Sequence, residues 1–172
     1  AIVKDPNAAI LWIANPLGSL VRYDLTSNTW ETYSFKHLFH SKYDCYSIAQ
    51  TANGHWWIGT TRGLIHAIPK GGSFDFELMT TEAESTNGLL NNDVATLLTA
   101  PNTAHILWIG TKGGGLHRLD TRKMTFTHIN SKNGLPNDVL YGILNDDEGN
   151  LWMSSNKGII TYYPENGKIR NF

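Results

Sequence analysis

The chain has 172 residues, of which 41% are hydrophobic and 11% aromatic, enough for a packed globular core. Its formal net charge is −1, so it has no basic field that would attract nucleic acid or an anionic membrane surface, and we expect neither as a partner. The single cysteine, Cys45, excludes an internal disulfide, and no apolar stretch approaches the roughly 20 residues that cross a bilayer.

The first part of the chain predicts two groups of short strands. The first group begins within a strand at Ala1, turns at residues 4–7 and ends near Tyr33. Residues 34–42 then cross to the second group, whose inner strand is Cys45–Gln50. Because the chain opens on a strand without Met, we expect it to be a piece of a longer protein.

Turn residues mark the remaining strands of the second group. Asn53-Gly54 is typical of a tight hairpin, because both residues tolerate a positive φ. An outer strand is predicted near residues 74–78, and residues 80–87 form a polar, acidic link to a third group.

The third and fourth groups open on similar segments. Residues 88–94 are Gly-Leu-Leu-Asn-Asn-Asp-Val, and residues 134–139 are Gly-Leu-Pro-Asn-Asp-Val. In the fourth group a strand predicted at 137–144 is apolar on both alternating faces, as expected for a strand covered above and below. Three more strands are predicted at 151–155, 159–163 and 168–172.

The four groups are copies of one repeat, anchored by a tryptophan that follows an apolar residue. These tryptophans recur at intervals of 44 to 51 residues. The sixth residue after each tryptophan is glycine, which suits a tight hairpin between the second and third strands, and the eighth is aliphatic. The tryptophans are Trp12, Trp57, Trp108 and Trp152, the glycines are Gly18, Gly63, Gly114 and Gly158, and the aliphatic residues are Leu20, Ile65, Leu116 and Ile160.

Repeats of about 40 to 50 residues with four strands each predict a β-propeller, in which every copy is one blade. A β-sandwich or barrel also uses many short strands, but neither requires the same glycine and tryptophan at fixed offsets in each group. Propellers close with roughly 4 to 8 blades. Four wide blades therefore predict an open arc that self-associates, for example as two arcs in one eight-bladed ring, or that needs missing blades. The predicted fold class is all-β, a β-propeller fragment of four four-stranded antiparallel blades at about residues 1–35, 43–79, 88–130 and 134–172.

The fourth copy resembles the two-component regulator propeller repeat. The resemblance lies in Gly-Leu-Pro-Asn-Asp-Val (residues 134–139), Asp-Asp-Glu-Gly-Asn-Leu-Trp-Met-Ser-Ser-Asn-Lys-Gly-Ile (146–159) and Tyr-Pro-Glu-Asn-Gly (163–167). It extends through the other copies and departs at residues 12–18, where Trp-Ile-Ala-Asn-Pro-Leu-Gly replaces the usual Trp-Ile-Gly-Thr.

The resemblance implies the periplasmic sensor region of a hybrid two-component protein from the Bacteroidetes, whose histidine kinase and DNA-binding module lie beyond this chain. Such regions sense oligosaccharides and control glycan-utilisation genes, so the resemblance implies a non-enzymatic fragment with an oligosaccharide ligand. Two rival functions stay open. Similar repeats occur in lyases that act on streptogramin antibiotics or polysaccharides, which need convergent His, Glu or Lys side chains at the centre of a complete ring. A protein-interaction scaffold would neither bind nor cleave a glycan.

Catalytic and metal-binding patterns are sparse, and we expect no catalytic residue, metal or other cofactor. His66 and His117 each lie nine residues after a repeat tryptophan, which favours packing in the third strand over metal ligation. Cys45 matches Leu140 of the fourth copy and is interpreted as a core residue rather than a nucleophile. The acidic run at 146–148 is interpreted as a hairpin turn in preference to a calcium site or an acid–base pair.

A ligand site is expected where the copies converge, at the channel mouth and in its loops. The repeat tryptophans are excluded as sugar-stacking platforms, because a residue required in every blade serves blade packing. The candidates are therefore residues at the start of inner strands and in the turns between second and third strands. They are Tyr46, Arg62, Asp93, Lys112, Asp138, Tyr141, Asn156 and Lys157.

Overall fold

The computed structural model describes residues 1–81, 88–101 and 103–172, and the predicted link at 80–87 lies mostly outside them. The described residues include two short 3₁₀ turns, at Lys36–Leu38 and Ser131–Asn133, and contain no helix of the length and apolarity that a membrane crossing requires. In chain order the strands are β1 (Ile2–Lys4), β2 (Ile10–Asn15), β3 (Ser19–Asp24), β4 (Thr29–Ser34), β5 (Cys45–Gln50), β6 (Trp56–Thr60), β7 (Gly63–Lys70), β8 (Ser73–Met79), β9 (Val94–Thr99), β10 (Ile106–Thr111), β11 (Gly115–Asp120), β12 (Thr125–Ile129), β13 (Leu140–Asn145), β14 (Leu151–Ser155), β15 (Gly158–Tyr163) and β16 (Lys168–Asn171).

The strands form four antiparallel sheets, and within each sheet they lie side by side in chain order. These are termed sheets 1 to 4, from β1–β4 to β13–β16, and the first strand of each is its inner strand. Inner strands of consecutive sheets contact each other, β1 with β5, β5 with β9 and β9 with β13. The predicted all-β propeller fragment of four four-stranded blades is confirmed.

An apolar core fills each junction between consecutive sheets. The first core combines Trp12 of sheet 1 with Trp56 and Ile58 of sheet 2. The second joins sheets 2 and 3 around Trp57, and the third joins sheets 3 and 4 around Trp108. Since each buried Å² of apolar surface contributes about 25 cal/mol, these junctions are the main source of stability.

In sheets 1 to 3 the repeat tryptophan faces the sheet that follows. The ring of Trp12 lies 4.8 Å from that of Trp56 in sheet 2, and the ring of Trp108 lies 5.9 Å from that of Tyr162 in sheet 4. Trp57 is fully buried between sheets 2 and 3. Trp152 has no described sheet beyond it and is 40% exposed, so the prediction that every repeat tryptophan is a core residue is wrong for Trp152.

The turn between the second and third strands has two lengths. In sheet 2 it has two residues, because Thr60 pairs directly with Gly63. In sheet 3 it has three, because Thr111 pairs with Gly115. Sheet 1 also has a three-residue turn, because Asn15 pairs with Ser19. The predicted equivalence of Gly18 and Gly114 with Gly63 is therefore wrong by one residue, and Ser19 and Gly115 take that place. In sheet 3 the longer turn is Lys112-Gly113-Gly114, so Lys112 supplies its one side chain.

The same shift separates the two third-strand histidines. His66 pairs with Trp57 and lies on the tryptophan face of its sheet. His117 pairs with Ile109 and points to the opposite face, because neighbouring residues of a strand alternate between faces. The prediction that these histidines share one place in the repeat is wrong, although both are buried, as predicted for packing residues.

Candidate functional site

Two kinds of segment meet at one end of every sheet. The start of the inner strand and the turn between the second and third strands lie at the same end, because each strand reverses the direction of the one before. This end is termed the turn face. All eight predicted ligand-binding residues lie on it, and the structure brings some of them into contact.

A β-bulge near the start of the inner strand re-aims one side chain in each of sheets 2, 3 and 4. In sheet 2 the pairing passes from Cys45 to Ser47 and leaves Tyr46 unpaired. Tyr141 has this place in sheet 4 and Ala95 in sheet 3. Bulges commonly redirect functional side chains, and both tyrosines are exposed at the turn face.

Tyr46, Asp93 and Lys112 form one cluster across the junction of sheets 2 and 3. The Lys112 ammonium lies 4.1 Å from the centre of the Tyr46 ring and 3.7 Å from Asp93 Oδ1. The backbone holds this arrangement, since the Lys112 N–H donates to the Asp93 carbonyl at 2.9 Å. A cation, a carboxylate and an aromatic ring, all partly exposed, are thus presented together.

Lys112 keeps its charge in this cluster. Partial burial acts to lower the pKa of Lys112, but its contacts with Tyr46 and the Asp93 carboxylate outweigh burial and raise that pKa above its ordinary value. Asp93 Oδ1 is buried and accepts no hydrogen bond from the described residues, so the nearby ammonium compensates its charge. The cluster can bind an anionic or hydroxyl group through Lys112.

In sheet 4 the corresponding tyrosine makes its contact within its own sheet. The Tyr141 hydroxyl donates to Asn156 Oδ1 at 2.7 Å. Lys157 follows in the same turn, where its backbone N–H donates to Ser155 Oγ. Tyr141, Asn156 and Lys157 therefore share the turn face of sheet 4, and the described residues include no later sheet that could add a cation there.

Asp138 reaches the cluster only through its backbone. Its carbonyl accepts hydrogen bonds from the N–H groups of Gly113 and Gly115, each at 2.9 Å, which ties sheet 4 to the turn that carries Lys112. Its carboxylate accepts from the backbone N–H and the hydroxyl of Ser131, at 2.7 and 2.6 Å. Asp138 therefore positions the turn, and its carboxylate is engaged in holding the segment before β13.

Arg62 makes its contacts beside a cavity of about 640 Å³ on the turn face. Its Nε donates to the Lys42 carbonyl at 2.9 Å, which fixes the guanidinium against the segment that crosses from sheet 1. His40, Lys42 and Arg62 give the cavity three basic side chains, and Asn92 extends the lining to the residue before Asp93.

His40, Lys42 and Asn92 line this cavity but were not predicted as site residues. They lie on segments between the sheets, where the copies differ in length and offer no repeated anchor. One signal was available, because residues 36–42 hold two lysines and two histidines within seven positions.

The acidic hairpin of sheet 4 is a self-contained turn. Asp146 Oδ1 accepts from the backbone N–H groups of Glu148 and Asn150, and Oδ2 accepts from Trp152 Nε1 at 3.0 Å. The Trp152 hydrogen bond is the main reason why the pKa of Asp146 lies below its ordinary value. The carboxylate oxygens are thus occupied by the turn, as the hairpin interpretation predicts. No three His, Cys, Asp or Glu side chains among the described residues are grouped so that they could hold a metal ion.

Cys45 is partly buried, and His66 and His117 are buried. Burial raises the pKa of the Cys45 thiol to about 11, so the thiolate needed for nucleophilic attack is scarce at neutral pH. Burial lowers the pKa of both His66 and His117 to about 4. His66 stacks on Trp57 and shares a 2.7 Å hydrogen bond with His55, whereas His117 Nε2 accepts from the Leu90 N–H. These groups serve packing and local positioning.

Solved structures share the fold of this chain. The extracellular domain of a hybrid two component system from B. thetaiotaomicron has 22% sequence identity and a TM-score of 0.77, over 99% of this chain and 24% of that chain. The extracellular domain of a one component system from the same organism has 21% identity and a TM-score of 0.69, over 95% and 21% of the two chains. Virginiamycin B lyase from Staphylococcus aureus has 14% identity and a TM-score of 0.73, over 99% and 54%. This chain thus spans less than a quarter of the length of the two extracellular domains.

These likenesses and the four sheets define the class of the molecule as a β-propeller fragment. Residues 134–157 match the family model of the two component regulator propeller, so the resemblance inferred from the fourth copy is confirmed. No curated protein matches the chain.

Proposed function

We propose that this chain is part of the extracytoplasmic, periplasmic sensor region of a two-component signalling protein, and that its turn face binds an oligosaccharide. The observation that carries the proposal is the Tyr46–Asp93–Lys112 cluster, where residues that differ between the copies meet on a repeated scaffold. The repeat family of residues 134–157 and the fold shared with extracellular domains support the sensor assignment. On this proposal the fragment binds its ligand without turning it over.

The neighbouring cavity favours an oligosaccharide with an acidic group. Its volume of about 640 Å³ falls within the roughly 300–1,000 Å³ typical of ligand pockets. Ser41 and Thr61 offer hydroxyl groups suited to sugar hydroxyls, and the three basic side chains suit a carboxylate or sulfate. A uronate-containing oligosaccharide satisfies both demands.

Signal transmission requires the ligand to distinguish two arrangements of the sensor. A ligand shifts an equilibrium only by its difference in affinity for the two states. In the whole protein the favoured arrangement would then bias a histidine kinase that controls glycan-utilisation genes. A site formed between sheets suits this role, because small changes in sheet packing alter its geometry.

A calorimetric titration with matched neutral and uronate-containing oligosaccharides tests the proposal. We expect saturable binding, tighter for the uronate member of each pair, and weaker binding as salt is added because the contact is electrostatic. The absence of saturable binding across both series would contradict ligand recognition by this fragment.

The fold shared with virginiamycin B lyase supports one alternative function, that of a lyase that acts on a glycan or a streptogramin-like substrate. An eliminative lyase creates a carbon–carbon double bond, so product formation can be followed by ultraviolet absorbance during the same titrations. Turnover would favour the lyase, whereas binding without turnover favours the sensor.

A further inference from the structure

Residues 88–93 lead into the inner strand of sheet 3 and carry part of the candidate site. Asn92 lines the cavity on the turn face, and the Asp93 carboxylate pairs with the Lys112 ammonium. Leu89 anchors this segment, since it is buried in the core between sheets 2 and 3. Whatever holds the segment therefore also holds Asp93 beside Lys112.

Two histidines of sheet 3 hold the segment by its backbone. His117 Nε2 accepts a hydrogen bond from the Leu90 N–H at 3.0 Å, and His128 Nε2 lies 2.8 Å from the Gly88 carbonyl oxygen. Because a carbonyl only accepts, His128 Nε2 carries a proton. Because a backbone N–H only donates, His117 Nε2 is unprotonated. The hold at Leu90 thus requires an uncharged His117 ring.

The segment that leads into sheet 4, residues 134–139, is held without a histidine. Both segments begin with a glycine and a buried leucine, and in both an asparagine accepts a hydrogen bond from the backbone N–H two residues further on. Leu90 therefore corresponds to Pro136. Proline has no backbone N–H, so the segment of sheet 4 needs no acceptor at this place.

The third-strand residues differ in step with this change. His117 pairs with Ile109, the residue after the repeat tryptophan, and Ile160 pairs with Met153 at the same place in sheet 4. Histidine thus occurs where residue 90 has an N–H to satisfy, and isoleucine occurs where proline has none. A backbone N–H removed from water without an acceptor is costly. The paired difference assigns His117 to holding the segment.

The surroundings of His117 favour its uncharged ring. The ring is fully buried, and burial lowers the pKa of His117 to about 4. His128 lies on β12 with its ring 5.0 Å away, and it lowers the same pKa because like charges on the two rings would repel. At neutral pH the hydrogen bond to Leu90 is therefore intact.

The other titratable groups at this junction have partners of their own. Sheet 2 turns His66 and Glu77 toward sheet 3, where His66 Nδ1 lies 3.6 Å from Glu77 Oε2. Asp93 and Lys112 pair with each other at the turn face. Among the described residues no carboxylate acts on His117, so a proton on its ring is not compensated.

We propose that His117 is a positioning residue of the turn-face site, and that its protonation releases residues 88–91 from sheet 3. A protonated Nε2 directs its hydrogen at the Leu90 N–H, so the hydrogen bond breaks. The released segment no longer fixes Asp93 beside Lys112, and ligand recognition is lost in acid. This role rests on the proposed function of the turn face, although the release itself can be measured without a ligand.

Amide hydrogen exchange of the wild-type chain between pH 7.5 and 4.5 measures the release. If the released ring regains a pKa of roughly 6.5, opening at Leu90, corrected for the intrinsic exchange rate, should become about 70-fold more frequent over this range. The Val139 amide is the internal control, because it donates to Asn137 in the segment that has no histidine. No rise at Leu90, or an equal rise at Val139, would overturn the proposal.

Three variants separate the charge of His117 from its packing. His117→Gln keeps an acceptor for the Leu90 N–H but does not titrate, so exchange at the Asp93 amide should stay slow in acid. His117→Leu offers no acceptor and should exchange rapidly at pH 7.5. Leu90→Pro combined with His117→Ile transfers the arrangement of sheet 4 and should hold the segment at both pH values. Acid-induced opening that persists in His117→Gln would contradict a switch at this ring.

Calorimetric titration at pH 7.5 with the uronate-containing oligosaccharides connects the segment to recognition. His117→Leu should bind at least about tenfold more weakly than the wild type, and His117→Gln should stay within about twofold of it. Unchanged binding by His117→Leu would overturn the positioning role. A wild type that binds none of these oligosaccharides would instead contradict the proposed function, and the exchange measurements would still decide whether His117 controls the segment.

Discussion

Sheets 2 and 4 are copies of one repeat with different surroundings. Both have a two-residue turn between the second and third strands, and both place a tyrosine at the bulge of the inner strand. Sheet 2 lies between two sheets, so Trp57 is fully buried and Tyr46 receives Lys112 from sheet 3. Sheet 4 has a described neighbour on one face only. Trp152 lies on its other face and is exposed, and Tyr141 contacts Asn156 of its own sheet.

The difference shows which properties belong to the repeat and which belong to the junction. Strand order, turns and bulges are set within each copy, because they depend on local pairing and on glycines with positive φ. Burial of the tryptophan and assembly of the charged cluster require the following sheet. The candidate site is thus a property of two consecutive sheets, and the following substitutions test that distinction.

The largest expected effect is a contrast between two tryptophan truncations. Trp57→Ala should reduce the free energy of unfolding by about 3–5 kcal/mol, because it opens a cavity in the core between sheets 2 and 3. Trp152→Ala should cost about 1 kcal/mol, since its ring is already partly solvated and mainly loses the Asp146 hydrogen bond. Denaturant unfolding of the two variants measures the difference. Equal losses would mean that the neighbouring sheet does not determine burial.

Replacing a glycine that has a positive φ should destabilise the chain by an intermediate amount, set by the backbone and the neighbours within its own sheet. Gly63 has a φ of 131°, and a Cβ there would lie 2.5 Å from the Met79 carbonyl oxygen, so Gly63→Ala should destabilise the chain by about 2–3 kcal/mol. Gly167 has a φ of 71° with open space around it, so Gly167→Ala should cost only the backbone preference, about 1 kcal/mol. Thermal unfolding compares the pair, and a larger loss for Gly167→Ala would refute this explanation.

Acid should weaken sheets 2 and 3 through their buried histidines. Burial holds the pKa of His117 at about 4, below its unfolded value of roughly 6.5. The folded state therefore favours the neutral ring, whose stabilising contribution is complete above pH 6.5 and is lost as the pH falls toward 4. Its loss should amount to about 2–3 kcal/mol at pH 4.5.

His117→Gln isolates this contribution. The glutamine oxygen can accept the Leu90 N–H in place of Nε2 but does not titrate. Unfolding free energies of both proteins between pH 7.5 and 4.5 should show a shallower decline for the variant. Parallel declines would assign the acid sensitivity to other groups.

The sequence predicted the elements that repeat. Glycines six residues after each tryptophan, Asn53-Gly54 and the apolar inner strands all reflect local physical demands, so four sheets and their order could be inferred from spacing. The equivalence of Gly114 with Gly63 could not be excluded from spacing, because one extra turn residue in sheet 3 leaves the glycine spacing intact while it shifts the pairing register.

The site could be predicted only in part. Tyr46, Asp93 and Lys112 were identified by their positions, but their contact depends on how sheet 3 packs on sheet 2, which spacing does not encode. Asp93 and Asp138 look alike in sequence, yet one carboxylate faces an ammonium and the other binds Ser131. The segments between sheets, which supply Lys42 and Asn92, have no repeat from which to infer their place.

Lys112→Gln should have the smallest effect on stability, and it tests the candidate site most directly. Lys112→Gln removes a partly exposed ion pair worth about 0–1 kcal/mol, so the fold should be nearly unaffected. Lys157→Gln makes the same chemical change in the equivalent turn of sheet 4, where no following sheet is described. The two variants differ in whether the lysine lies at a junction.

Calorimetric titration of these two variants with the tightest-binding uronate oligosaccharide tests whether the site belongs to the junction of sheets 2 and 3. Lys112→Gln should weaken binding by about tenfold, which corresponds to about 1.4 kcal/mol, and Lys157→Gln should leave the affinity within about twofold of the wild type. Equal weakening by both substitutions, or none by Lys112→Gln, would contradict the central claim that function arises where consecutive sheets meet.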